Sequence, residues 1–282
     1  MRPLEAPGHV GAQTRRTCLN GNGYRYHSEM DLKGRTALVT GANRGIGRAI
    51  AEALARSGAE VLAGVRELDG SHQVEVAAGV RPVRIDLSSP ESIEESFAEL
   101  GDDAFRVEIL VNNAGVFAGG LLERQEMDKI YELLQVNLAG PIHLTRRFLP
   151  EMLKRGSGKI VNNASIIGHA PFPGAVAYAA SKTGLHGFTE SLRRELDQTD
   201  VTVLELVTPG VDTDMMDQVQ SELDEHSDTS KWDHVEPDDW AAKVVKAIED
   251  EDDELKPGGA ERLAQVLPKS ILDVAAKRGF ER

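Results

Sequence analysis

TGANRGIG, Thr40 to Gly47, falls between a buried apolar run, RTALVT (35–40), and an Ala-rich helical pattern, IGRAIAEALARSG, that starts at Ile46. Glycines at 41, 45 and 47 let the chain turn tightly from strand to helix and bring its backbone close to an anion. The first amides and the dipole of the helix then face that anion, which suits a pyrophosphate. The spacing is GxxxGxG, not the commoner GxGxxG.

Outward from this turn, short β-rich runs alternate with helical patterns. AEVLAGV (59–65), VRPVRI (80–85), EILVNN (108–113), GKIVNNAS (158–165) and VTVLELV (201–207) read as strands. SSPESIEESFAEL starts a helix at its Ser/Pro, and MDKIYELLQVNLAGPIHLTRRFLPEML (127–153) reads as one long helix. The alternation predicts an α/β fold: a single-domain, Rossmann-like, doubly wound parallel sheet with helices on both faces. The domain is expected to span residues 33–257. Residues 1–32 read as a disordered extension, and MDLKGRTALVTG from Met30 also reads like a natural start. Residues 258–282 read as an amphipathic tail, packed on the domain or on a partner subunit.

Composition narrows the function. Among 282 residues, 46 acids against 32 bases give a net charge of −14, which argues against a nucleic-acid footprint. One cysteine, Cys18, excludes an intramolecular disulfide framework, and eight scattered histidines show no ligand spacing, so no metal is expected. No apolar run is long enough to predict a membrane span, and the first 29 residues hold no apolar leader core. A cytoplasmic enzyme is the expectation.

YAASK, Tyr178 to Lys182, places a phenol and an ammonium at i and i+4 of a helix, on one face. TGANRGIG, NNAG (112–115) and YAASK, in that order, resemble the short-chain dehydrogenase/reductase family from about Lys33 to Ile248. The resemblance implies a nicotinamide cofactor and hydride transfer between a carbonyl and an alcohol carbon. It assigns catalysis to Tyr178, Lys182, Ser165 at the end of the GKIVNNAS strand, and Asn137 in VNLAG. In that scheme Tyr178 exchanges the proton and Ser165 orients the substrate oxygen. Lys182 holds the nicotinamide ribose, and Asn137 anchors a water-linked relay to Lys182. Gly41, Asn43, Arg44, Gly45, Ile46 and Gly47 would cradle the phosphates. Asp86, with Leu87 beside it, would meet the adenine amino group. Asn112 and Ala114 of NNAG would lie by the ribose, and Pro209, Val211 and Thr213 of PGVDT would hold the carboxamide.

A phenol titrates at about 10, so Lys182 is expected to pull Tyr178 down toward neutrality. The end of the second strand carries Val65 and Arg66 where an acid would favour NAD. Arg66 and Arg44 could both grip a 2′-phosphate with no carboxylate competing, so NADP(H) is expected in preference to NAD(H).

IIGHAPFPGAVA (166–177) and MMDQVQSELDEHSDTSKWDHV (215–235) read as the substrate loops, the first apolar. His169 could touch substrate or face water. Trp232 and Trp240 read as packing residues. No TGxxxxVDGG-like last strand follows; ELKPGG leads directly into the tail. Leu185, Phe188 and Leu192 form a stripe that fits either the sheet or a partner. The expected function is NADPH-dependent reduction of a small carbonyl substrate, or oxidation of the matching alcohol, by a homodimer or homotetramer. The alternatives are a 3-oxoacyl thioester reductase and a catalytically silent cofactor-sensing protein of the same fold.

Overall fold

Seven parallel strands form one sheet: β1 (Thr36–Thr40), β2 (Glu60–Val65), β3 (Val80–Arg84), β4 (Val107–Asn112), β5 (Gly158–Asn163), β6 (Val201–Leu206) and β7 (Glu254–Leu255). Their spatial order is β3–β2–β1–β4–β5–β6–β7. This computed structural model describes residues 29–68, 78–223, 226 and 234–258, with the backbone of 18–19 and 25–26.

β1 shows why the strands are apolar throughout. Ala37 and Val39 face one core and Leu38 the other, so both sides of the sheet are covered. Helices α1 (Gly45–Arg56) and α9 (Pro237–Glu249) pack on the first face. α2 (Pro90–Leu100), α5 (Gly140–Arg155) and α7 (Val176–Glu195) contribute to the core on the second. Pro82 sits on the edge strand β3, where its missing N–H costs least. Short helices α3 (Asp103–Arg106) and α6 (Ile166–His169), with α4 (Met127–Leu134) and α8 (Asp214–Leu223), complete the described α-helices.

Several expectations need correction. The folded body starts before residue 33, because Met30 and Leu32 are buried and the Met30 N–H donates to the Glu249 carbonyl at 2.7 Å. Within the expected extension, Cys18–Leu19 pairs antiparallel with Arg25–Tyr26. The long helix is interrupted by a π turn, Gln135–Ala139, between α4 and α5. Pro141, in the first turn of α5, has no N–H to return to the carbonyl of Asn137 four residues back. The last strand exists after all, as β7 in ELKPGG, paired in parallel with Glu205 and Leu206. Phe188 and Leu192 pack into the core with Val201 and Val203, so that stripe serves the sheet. Trp240 is a core residue. Trp232 and the tail from 259 onward lie outside the described residues.

The strand order reverses direction between β1 and β4. A ligand crevice is expected beyond the carboxyl ends of the strands at such a point.

Candidate active site

A cleft of about 810 Å³ opens there, bounded by the glycine turn, the ends of β2 and β4–β6, and helices α6, α7 and α8. At the turn, Gly41 and Gly45 have φ of 66° and 53°, which favour glycine. A Cβ on Gly47 would stand 2.2 Å from the Gly41 carbonyl oxygen, so the turn closes only with glycine there. Arg44 is the N-cap of α1 and offers no side-chain cap, so the first amides of α1 face the cleft without one. That uncapped terminus, in a glycine-built cradle, fits a pyrophosphate.

Polar side chains at four strand ends form the floor. The Thr40 hydroxyl accepts from the backbone N–H groups of Asn113 and Ala114, both at 2.9 Å. Asn163 donates from Nδ2 to Asn113 Oδ1 at 2.8 Å, and Thr208 donates its hydroxyl to Asn163 Oδ1. The Lys182 ammonium donates to the Asn163 carbonyl at 2.7 Å. Ser165, N-cap of α6, and Tyr178 of α7 both line the cleft, with Ser165 near enough to exert a downward pull on the phenol pKa. The Tyr178 ring stacks edge-on against Phe117, with centroids 5.2 Å apart.

Burial dominates the electrostatics. It pushes the Tyr178 phenol up to about 12, against a smaller downward pull from Ser165. It pushes Lys182 down to about 8. The expectation that Lys182 lowers the phenol therefore fails for this geometry. Its nitrogen lies 5.6 Å from the centroid of the Tyr178 ring and bonds to Asn163.

Most expected residues do line this cleft: Gly41, Asn43 to Gly47, Arg66, Asp86, Leu87, Ala114, Ser165, Tyr178, Lys182, Pro209, Val211 and Thr213. Two do not. Asn112 is buried in the core, donating from Nδ2 to Thr145 and Asn162. Successive side chains on a strand face opposite ways, so its neighbour Asn113 reaches the cleft instead. Asn137 is fully buried, and its amide clamps the backbone of Val116: Oδ1 accepts from the N–H and Nδ2 donates to the carbonyl, both at 2.8 Å. Its side chain is therefore a brace for the loop after NNAG.

The arginines are not without acidic neighbours either. Arg44 pairs with Asp214 at 3.1 Å, and Arg66 lies 3.7 Å from Glu67, all four exposed. His169 does not line the cleft; partly open to solvent, it bonds Glu205 on β6. Asn113, Asn163 and Thr208 were missed as site residues. Their signal was available: two Asn-Asn pairs ending buried strands, where an apolar run has no other reason to turn polar.

Fold and cleft together define a dinucleotide-binding oxidoreductase. The family model for short chain dehydrogenases matches residues 35–224, and the chain belongs to that family. It is an NAD(P)-dependent oxidoreductase. Among its relatives, 3-oxoacyl-acyl-carrier-protein reductase FabG of Vibrio cholerae serotype O1 is 38% identical over 196 residues, covering 68% of this chain and 80% of that protein. FabG of Aquifex aeolicus is 39% identical over 202 residues, covering 69% and 81%. A short chain dehydrogenase from Burkholderia cenocepacia J2315, solved in complex with NADP, superposes with a TM-score of 0.75 at 28% identity, covering 88% of this chain and 99% of that one. One from Streptomyces avermitilis gives 0.72 at 27%, covering 87% and 94%.

Proposed function

We propose that this chain is an NADPH-preferring reductase of 3-oxoacyl thioesters or closely related ketones. The observation that carries the reading is the convergence of Ser165, Tyr178 and Lys182 on one cleft with apolar walls. Ile167 and Phe172 line one wall and Met215, Met216 and Val219 another, which suits an acyl chain. The likeness to the FabG reductases points to the same substrate class.

In this reading Ser165 and Tyr178 hold the substrate oxygen, and Tyr178 gives it a proton. A nicotinamide held in the cleft would supply hydride for the carbonyl carbon, so that carbonyl, hydride and the Tyr178 proton balance to an alcohol. A phenol at about 12 carries its proton at neutral pH, as a general acid must, and proton transfer would improve as its pKa falls toward the working pH. Lys182, fixed through Asn163, returns positive charge to the site and would hold the ribose. With Pro141 unable to donate to it, the Asn137 carbonyl suits the anchoring of a relay water. The uncapped α1 terminus would hold the pyrophosphate. Asp86 and Leu87 would meet the adenine, Ala114 the ribose, and Pro209, Val211 and Thr213 the carboxamide. Arg66 and Arg44 would bind the 2′-phosphate after releasing their carboxylate neighbours, and the NADP-bound Burkholderia relative supports that preference.

Residues 33–257 remain our proposed catalytic unit, extended at its start to Met30. Among the described residues, no helix is long and apolar enough to cross a membrane. We place the enzyme in the cytoplasm, consistent with its single cysteine. We read it as a homodimer or homotetramer, supported by the exposed Met127 and Tyr131 on α4 and testable by light scattering.

The function is tested by NADPH oxidation against 3-oxoacyl thioesters, aldehydes, ketones, quinones and steroids. A 3-oxoacyl thioester should give the highest kcat/KM. No turnover of any carbonyl, with NADPH still bound, would favour a cofactor-sensing protein instead.

A further inference from the structure

One turn beyond Ser165 on α6 stands His169, and one turn beyond Lys182 on α7 stands His186. Both address Glu205 on β6, away from the cleft. His169 Nε2 is 3.1 Å from Glu205 Oε1. His186 Nδ1 is 2.9 Å from Oε1 and 3.0 Å from Oε2. The two imidazole rings lie 4.3 Å apart, tilted by 56°. Glu205 is buried at 1% exposure, while the two histidines remain partly open, with side chains 20% and 33% exposed.

We propose that His169, His186 and Glu205 form a binding site for a divalent first-row transition metal, with Zn²⁺ as the fitting ion. Two imidazole nitrogens and one carboxylate oxygen are a donor set suited to such ions, whereas Mg²⁺ and Ca²⁺ favour oxygen alone. The three donor groups lie within 4.8 Å of one another. A tetrahedral Zn²⁺ with ligand bonds of about 2.0–2.1 Å needs neighbouring donors roughly 3.3 Å apart, so small side-chain shifts would admit it. The half-open side leaves room for water as a fourth ligand.

The frame is stiff. A Cβ on Gly168 would stand 3.0 Å from the backbone of Lys182, so α6 and α7 approach backbone to backbone just before the two histidines. The Thr183 hydroxyl also donates to the Gly168 carbonyl at 3.0 Å. A bound metal would tie the Ser165 helix, the Lys182 helix and β6 at one point, stiffening the cleft from behind without entering it. The donors are scattered over three elements, which is why their sequence spacing carries no metal signature.

The test uses untagged full-length protein stripped with a chelator and titrated with ZnCl₂ by calorimetry, then with CoCl₂ by visible absorption. One strong site is expected, with the d–d bands of tetrahedral Co²⁺ rising to a plateau at one equivalent. His169→Gln and His186→Gln should each weaken Zn²⁺ binding about tenfold or more. Circular dichroism and NADPH affinity are the checks that these variants remain folded. The wild-type Co²⁺ spectrum stands independently of any variant, and a purely octahedral spectrum at every ratio would overturn the proposal. So would absent saturable uptake, or equal Zn²⁺ affinity in folded variants; the three side chains would then be a hydrogen-bonded cluster only.

Discussion

The two ends of the cleft are made of different material. At the phosphate end the chain offers backbone: glycines 41, 45 and 47, the amides of α1, and two arginines whose side chains are 68% and 67% exposed. At the chemical end it offers buried side chains, with Tyr178, Ser165 and Lys182 at 9%, 8% and 4% exposure. An exposed guanidinium is screened by water and shared with Asp214 or Glu67, so each arginine contributes modestly. A buried phenol and ammonium carry large desolvation costs, and their ionisation moves far from its ordinary range. Binding should therefore depend on geometry at one end, and turnover on a few groups at the other.

The largest expected effect breaks the chemical end. Tyr178→Phe should lower kcat by about 10²–10⁴-fold, the usual contribution of a general acid. Steady-state NADPH oxidation with the best carbonyl substrate measures it, and near wild-type turnover would remove Tyr178 from that role. Next, Gly47→Ala attacks the phosphate end. Its Cβ would fall 2.2 Å from the Gly41 carbonyl oxygen and 2.4 Å from Asn113 Nδ2. The turn must open, and KM for NADPH should rise about 10–100-fold, since misplacement near 1 Å has that scale of cost. An unchanged KM would mean that the cradle does not hold the cofactor.

Stability sharpens the contrast. A lysine held at about 8 carries a desolvation cost of about 3 kcal/mol at pH 7 relative to one titrating at 10.5, partly offset by its bond to Asn163. Lys182→Met should lose activity yet gain about 1–2 kcal/mol in urea unfolding at pH 7. The unfolded lysine keeps a proton that the folded one gives up between about pH 8 and 10.5, so wild-type stability rises across that window. The advantage of the variant should therefore be full below pH 8 and fade toward pH 10.5. A variant less stable than wild type at pH 7 would show that the ammonium is well solvated. The smallest effect is expected from Arg66→Ala. Discounted for exposure, loss of one contact to the 2′-phosphate is worth about 1 kcal/mol, narrowing NADPH preference over NADH roughly fivefold. Better use of NADH by the wild type would overturn the cofactor preference itself.

The same contrast explains what the sequence revealed. Strand runs such as TALVT and the TGANRGIG turn were legible because parallel-strand burial and a glycine turn leave local patterns. The i and i+4 spacing put Tyr178 and Lys182 on one helix face, but their proposed roles came only from the resemblance to the short-chain dehydrogenase/reductase family, since the spacing alone is common. Asn112 and Asn113 were not told apart, since strand alternation gives opposite faces without saying which is the cleft. The π turn at Gln135–Ala139 left only Gly140 and Pro141 as hints inside a continuous amphipathic run. The Arg44–Asp214 pair joins residues far apart in the chain, and the upward shift of Tyr178 depends on burial that only the packed helices create. The early start at Met30 rests on the burial of Met30 and Leu32 and on a hydrogen bond to Glu249, far along the chain.

The most direct test of the separation between binding and chemistry is the NADPH dissociation constant of Tyr178→Phe beside wild type, measured by fluorescence titration on the preparations used for turnover. In the proposed function the phenol hydroxyl meets the substrate oxygen, while the glycine turn, α1 and Lys182 would hold the cofactor. The two constants should therefore agree within about twofold while kcat falls by at least about a hundredfold. A tenfold weaker NADPH affinity in a correctly folded variant would contradict the account, because the hydroxyl would then belong to the cofactor site rather than to the reacting oxygen.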